Sequence, residues 1–579
     1  MGIHAMGCQK RNGVAAPPDV QEDRPPDGRP HGIPYPRRNK QGAVKTLSIL
    51  ALAVGAVLVL GDGIVPAAER GGARVTVWDG PGGDVAASSD YELLVSSGSK
   101  SFKPFTYYSY ARPVDKLLDA EGKYIKLSFL ALHSSEYKRP EENRDTYAHS
   151  WSNFDFAGGP VTVEVRIKRP ISGITLPLHS CGVFPTTLGI TAQVVGGNVI
   201  RFTLDKPAKI ALVPNHLLAM EKLNAGAAKQ AWEGYRNPLF LFARAPETDV
   251  PRKTAPGTLV VKPGKTADVG AIDRARVIYF EPGVHDYSQF NPADPEHYIT
   301  LRTGQTAYLA GGAYVYAVFR SDTRGPVREM PLLRGRGTMS GGKQRWSDLP
   351  YRTTLEKNVC LDGIQITDPH NHVSHSNAAI RDVAVVGAWH GNTDGFTREV
   401  PKSEPYAGWH LDDCFVMAAD TNLKVGGCAR VRNYTVWQLG NAEPLWIRQP
   451  NGCLVDGLQV IAFNAWPNYQ TVNISRGAVQ NSVFRNITIQ APYVPLLFLM
   501  PSAASGGGPA YDNAIFENVV VHTPHIGKKS PLGASGGGRT GRVVFRNLTI
   551  GGVKVTAANC RDYFDIPEGV SVGKDVVFE

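Results

Sequence analysis

The feature that most constrains this chain is a short strand that recurs from about residue 278 onward, each copy carrying an Asp or Asn at one fixed place. The copies read VCLDGIQI, IRDVAVV, HLDDCFVM, VRNYTVW, LVDGLQVI, VFRNITI, IFENVVV and VFRNLTI. The polar positions are Asp362, Asp382, Asp413, Asn433, Asp456, Asn486, Asn518 and Asn547, spaced by 20, 31, 20, 23, 30, 32 and 29 residues. Periods of roughly 20 to 50 residues mark stacked repeats. Each unit is rich in strand and has no room for a pair of helices, so the fitting architecture is a parallel β-helix in which every coil buries its apolar side chains against the next. Asn and Asp suit the bend between strands because they tolerate left-handed backbone and bond their own main chain. Four N-x-S/T sequons fall in or near this column, at Asn433, Asn473, Asn486 and Asn547. They read as ladder residues rather than glycosylation sites.

Upstream, residues 74 to 263 follow a different pattern. Val161 to Ile167 (VTVEVRI) and Ile200 to Leu204 alternate apolar and polar residues, and Ile210 to Val213 is a short apolar strand. Helical signal is confined to a stretch near His216 to Trp232. Many short strands broken by Gly, Pro and Asn turns predict a β-sandwich. The chain is therefore expected to be all-β, with an N-terminal β-sandwich over 68–265 followed by a β-helix over 266–579.

Residues 1–67 form a leader. The apolar run Thr46 to Leu60 follows Arg37, Arg38, Lys40 and Lys45, and Val65-Pro66-Ala67 supplies small residues at a cleavage-site spacing. About fifteen apolar residues suit a signal peptide better than a membrane span, which needs roughly 20. An uncleaved N-terminal anchor is the alternative, and the only route by which the chain would meet a membrane. The expected location is secreted or periplasmic. The formal charge of +10 invites a nucleic-acid reading. Removing the leader, with eight basic and five acidic residues, lowers the excess to seven. No basic cluster with interleaved aromatics remains, so no nucleic-acid partner is expected. The six remaining cysteines permit disulfides in an exported protein, but without a CxxC pair they do not build a zinc site. Cys360, Cys414 and Cys453 sit inside apolar strands and read as buried thiols.

Candidate chemistry concentrates in the middle coils. Asp413 holds a repeat position, and Asp412 the exposed position before it, where other coils carry Arg381, Arg432, Arg485, Glu517 and Arg546. Asp394 and Asp420 stand outside the repeat, about one coil apart. Neighbouring coils stack at about 4.8 Å, and two carboxylates that close drive one pKa up and leave the other ionised. That is what a general acid and its partner base need in glycoside hydrolysis. His370, His372 and His375 lie one coil earlier, where sugar binding or core packing is favoured over a metal. Trp389, Trp437, Trp446 and Trp466 recur nearby, as flat faces for sugar rings or as core. Arg448 and Gln449 follow one coil after Asp420. Arg166-Ile167-Lys168 lies in a sandwich strand, and GRGTMSGG (335–342 within RGRGTMSGG) lacks the Lys-Ser/Thr and helix of a phosphate loop.

At this point the motifs resemble a family. VIYFEPGVHDY, TGQTAYLAGGAYVYAVF, RGRGTMSGG, GIQITDPHNH, WHGNTDGF, DCFVMAADTNLKV and VWQLGNA are similar, in order, to the coils of family 49 glycoside hydrolases, the dextranases and isopullulanases. HSWSNFDF and NPLFLFARAPE resemble that family's sandwich. Family 28 polygalacturonases are more distant relatives. The resemblance implies a right-handed parallel β-helix and inverting cleavage of an α-glucan by three aspartates on adjacent coils. Carried over, these are Asp394 and a pair that falls on Asp420 and Thr421, so one carboxylate is replaced by threonine. Asp413 is retained as an alternative third candidate. His372, Trp389, Asn392, Lys424, Trp437, Asn441, Arg448 and Gln449 are taken as substrate-binding, with no cofactor and no metal. The resulting expectation is a monomeric polysaccharide hydrolase with Asp420 as acid and Asp394 as base. The alternatives are a polysaccharide-binding protein without catalysis and a polygalacturonase- or lyase-type enzyme on an acidic glycan.

Overall fold

The computed structural model describes residues 72–109, 149–170, 174, 176–217, 238–264, 268–288, 298–321, 326–343, 356–369, 372–387, 393–401, 408–438, 442–463, 470–476, 478–500, 511–532 and 541–579. The leader 1–67 lies outside them, as does most of the stretch expected to be helical near 216–232.

The N-terminal strands form two packed sheets. One contains Lys100–Phe102, Tyr91–Ser97, Val161–Ile167, Val199–Leu204 and Gln193–Val195, all antiparallel. The other contains Arg74–Thr76, Thr106–Ser109, His149–Ala157, Leu239–Arg244, Ala208–Pro214 and Cys181–Phe184. In the first sheet burial alternates along Val161–Ile167, as an inward face and a wet face require. In the second, Leu239–Arg244 is buried at every position. Both faces of that sheet are covered, one by the sandwich core and the other by the β-helix.

The β-helix begins earlier than its sequence boundary at 266. Thr258–Val261 already pairs in parallel with Val277–Phe280, because TLVV offers a full apolar rung to the first coil. From there two long, mainly parallel sheets run coil upon coil, one to Val576–Phe578 and the other to Ile526–Lys528. The interior stacks like on like: Phe484, Phe516, Phe545 and Phe578 lie in register, with successive ring centroids 5.1, 5.4 and 5.2 Å apart. GRGTMSGG is a coil turn: a Cβ on Gly335 (φ 129°) would sit 2.0 Å from the Leu309 carbonyl oxygen. The six described cysteines are free thiols.

The polar column is real, with one correction. Asp382, Asp413, Asn433, Asn486, Asn518 and Asn547 are left-handed, with φ between 51° and 55°. In two coils that place belongs to the following glycine instead, Gly363 and Gly457. Asp362 and Asp456 therefore sit one position earlier, in the outer column, which is mostly half-buried and in which Asp412, expected to be exposed, is buried beneath the paired Arg432. That column alternates in charge coil by coil: Arg334, Asp362, Arg381, Asp412, Arg432, Asp456, Arg485, Glu517 and Arg546. Bonds of 2.6 Å (Arg381 to Asp362), 2.5 Å (Arg432 to Asp412) and 2.8 Å (Arg485 to Asp456) run along it. Asn473 is not in the asparagine ladder; it lies on the strand Gln470–Arg476.

The sandwich is fastened to the helix by an aromatic layer and by buried ion pairs. Trp437 is 3% exposed and packs edge-on against Phe240 at 5.3 Å; Phe415 does the same. Trp437 is thus interface core, not a sugar platform, because its strand turns that side chain toward the sandwich. Asp382 accepts from Arg244 Nε at 2.9 Å and pairs with Lys209 Nζ at 2.6 Å. Burial pushes its carboxyl up, but the two cations outweigh it and hold the pKa at about 2. Lys209 also reaches Asp413 at 2.6 Å.

Asp382→Ala strands Arg244 without its carboxylate and is expected to destabilise the protein by about 3 kcal/mol at pH 7. Because the folded pKa is depressed, this stability is present above about pH 4 and lost as pH falls toward 2. Denaturant midpoints at pH 7 and pH 3 check this: the gap between wild type and variant should narrow at pH 3.

Candidate active site

The site is built by register. Ser374, Phe396, Leu423, Leu445 and Val472 pair in sequence across consecutive coils. Two residues before each lies the segment that enters the strand, which sets His372, Asp394, Thr421, Glu443 and Gln470 in one column. Backbone bonds confirm it: Val373 N donates to Asp394 O (2.9 Å), Gly395 N to Thr421 O (3.0 Å) and Asn422 N to Glu443 O (3.2 Å).

The side chains of this column are joined. The Asp394 carboxylate is 1% exposed and ion-paired to Lys424 Nζ at 2.6 Å, with His372 Nδ1 on the same oxygen. Glu443, 4% exposed, accepts from Thr421 Oγ1 at 3.3 Å and from Gln470 Nε2 at 3.0 Å, and the Asn473 amide also bonds it. Asp420 stands diagonally beside the column and is half-buried. Thr421 N donates to its Oδ1 at 2.7 Å, and Gln438 Nε2 to its carbonyl at 2.7 Å.

Electrostatically the carboxylates are driven apart, as two nearby acids must be. Burial, then the charge of Asp394, pushes Asp420 up to about 6. Burial, then the charge of Asp420, pushes Glu443 up to about 7. The cluster therefore holds an ion-paired carboxylate beside acids that keep protons into the range where glycosidases work. That is the pairing needed for proton donation to a glycosidic oxygen.

The adjacent sheet face continues the site. Thr397, Lys424, Trp446 and Asn473 are in register across four coils. Trp446 is partly exposed, with Lys424 Nζ and the Arg448 guanidinium each 5.0 Å from its ring centre. Arg448 also pairs with Glu399 at 2.8 Å, passing over Gly426. A Cβ there would meet the Arg448 carbonyl oxygen at 2.5 Å and the Glu399 side chain at 3.2 Å. Gln449 is exposed at a bulge with φ 46°.

Of the residues named from sequence, the structure brings together Asp394, Asp420, His372 and Lys424, and sets Arg448 two residues along the same sheet from Lys424's row. Asp413 is not brought to the cluster: its carboxylate is tied to Lys209 of the sandwich. Trp389, Asn392, Asn441, Trp466 and His370 lie outside the described residues, and for His375 only the backbone is described. Glu443 was missed. Its signal is present in the sequence: like Asp394 and Thr421, it stands two residues before the first apolar residue of a strand.

No protein-family model matches the sequence, and no curated protein matches it. Solved structures do. Dex49A from Penicillium minioluteum matches with a TM-score of 0.61 at 17% identity, covering 85% of this chain and 94% of that one. The family 28 exopolygalacturonase of Yersinia enterocolitica aligns at a TM-score of 0.32 and 10% identity over 67% and 89%, a likeness too slight to argue from. The first comparison shows that the fold is shared with Dex49A over 85% of this chain.

Asp420 binds its proton more tightly folded than unfolded. Its contribution to stability is therefore fully present below about pH 4 and lost as pH rises through about 6. Asp420→Asn removes that burden. The variant is expected to gain about 2 kcal/mol on wild type between pH 4 and pH 8, read from urea midpoints; a gap independent of pH would refute the raised acid.

Proposed function

We propose that this chain is a secreted or periplasmic glycoside hydrolase that cleaves a neutral polysaccharide, a dextran-like α-glucan being favoured, by inverting acid–base hydrolysis. The observation that carries the reading is the half-buried Asp420, held as an acid beside the ion-paired Asp394. Asp420 protonates the leaving glycosidic oxygen. Asp394 takes the proton of the attacking water. The sandwich-plus-β-helix architecture shared with Dex49A and the ordered motifs similar to family 49 support the substrate class. The charge of the sheet face favours a neutral polymer over an acidic one. Lys424 and Arg448, the cations read as substrate-binding, are each paired with a carboxylate, Asp394 and Glu399. Trp446 offers a flat face to a sugar ring.

A panel of dextran, pullulan, mutan, pectate and arabinan, with product analysis by NMR, tests this. Reducing sugar of inverted anomeric configuration is expected from an α-glucan. Asp420→Asn and Asp394→Asn should each lower kcat by about 10²- to 10⁴-fold while the circular dichroism spectrum is unchanged. Near-normal turnover in either variant overturns its role. Binding without turnover by the wild type indicates a polysaccharide-binding protein, and an unsaturated, ultraviolet-absorbing product indicates a lyase.

A further inference from the structure

The column that carries Asp394 holds a second carboxylate two coils further on, and Thr421 lies between them. We propose that Glu443 is a third catalytic carboxylate, which holds the attacking water together with Asp394 across Thr421. The proposal rests on the hydrolase reading above and assigns a residue that reading does not use.

Three observations carry it. First, the register places Asp394 and Glu443 one coil to either side of Thr421, so their main chains are about 9.6 Å apart at the usual strand spacing. Two carboxylates spanning that gap can reach one water from both sides. Second, Glu443 is fully engaged in orientation. Thr421 Oγ1, Gln470 Nε2 and the Asn473 amide fix both of its oxygens. A buried Glu with no role would be replaced at less cost by an apolar residue, since burying a carboxyl is unfavourable unless it is fully bonded. Third, Asn473, bonded to Glu443, is nine-tenths buried, and its Oδ1 has no hydrogen-bond partner among the described residues. A buried acceptor without a donor beside a carboxylate is a place for a water or a sugar hydroxyl.

The step balances as follows. The water oxygen forms a bond to the anomeric carbon as the bond to the leaving oxygen breaks. One water proton passes to Asp394, and the remaining O–H donates to Glu443. Asp420 gives its proton to the leaving oxygen. Exchange with solvent then returns a proton to Asp420 and removes one from Asp394. The charged groups facing Glu443 are Asp420, which disfavours its ionisation, and Lys424, which favours it. Asp420 and Glu443 titrate as a pair. The pair shares its proton between the two carboxyls, and the reaction draws on the state in which Asp420 carries it and Glu443 is the anion.

Glu443→Gln and Glu443→Ala test the proposal. Each should lower kcat at least 100-fold with KM changed by less than about fivefold, and formate should restore part of the rate of Glu443→Ala by filling the vacated carboxylate site. Carboxyl ¹³C titration, which needs no substrate, should show Asp420 titrating at lower pH in Glu443→Gln than in wild type. An active wild type with Glu443→Gln turning over at the wild-type rate, or with Asp420 titrating unchanged, overturns the assignment. So does a Glu443→Ala variant that is inactive, folded and indifferent to formate, which marks a structural role. A wild type inactive on every glycan sinks the hydrolase reading instead, and the titration still reports whether the two acids are coupled. If Glu443→Ala fails to fold, the Glu443→Gln titration and kinetics decide alone.

Discussion

Parallel coil-on-coil register is the constraint from which the rest of this molecule follows. A residue at a given place in one coil lies about 4.8 Å from its counterpart in the next, so every column must tolerate its own repetition. Apolar columns do so by stacking, as Phe484, Phe516, Phe545 and Phe578 do. Amide columns bond to themselves: Asn547 Nδ2 donates to Asn518 Oδ1 and Asn518 Nδ2 to Asn486 Oδ1, each at 3.1 Å. A charged column cannot repeat one sign at that spacing, and the outer column from Arg334 to Arg546 alternates instead. Each exposed pair is worth little alone, but a coil slipped by one step would set like against like throughout.

The same rule governs how the sandwich is held. Its second sheet lies against the helix along Phe240 and Phe242, and that apolar layer gives no register of its own. Arg244 and Lys209 supply one by converging on Asp382, a residue of the left-handed column whose side chain faces the sandwich. Buried pairs of this kind contribute less to net stability than to a unique arrangement. Trp437 belongs to this layer, which explains why an aromatic next to the site faces away from it.

What the sequence reveals divides along the same line. The repeat, the sandwich and the Asp394–Asp420 pair are legible because each is a periodicity or a departure from one. The left-handed places taken by Gly363 and Gly457 are not, since a following glycine can adopt that backbone in place of the Asp and the sequence does not show which of the two does. Trp437 and Arg448 could not be sorted into core and surface without knowing which face of a coil meets the sandwich. Glu443 is not legible in the same way, because its place in the column is set by strand register rather than by a motif. Counting back two residues from the strands that begin at Phe396, Leu423 and Leu445 finds it at once.

The site column shows how a repeat can host an acid cluster that its own rule forbids. Asp394 is neutralised from the levels on either side, by His372 of the preceding coil and Lys424 of the next. The next level, where a carboxylate would face both Asp394 and Asp420, carries the uncharged Thr421, which donates to the level above. Only there does a second acid of the column appear, in Glu443, with donors on the coil beyond. Asp420, set off the column by one residue, meets Asp394 on one side and Glu443 on the other without stacking on either. Its proton is held by burial and by the charge of Asp394, and a threonine in place of an acid is what keeps that arrangement from becoming four carboxylates on three adjacent levels.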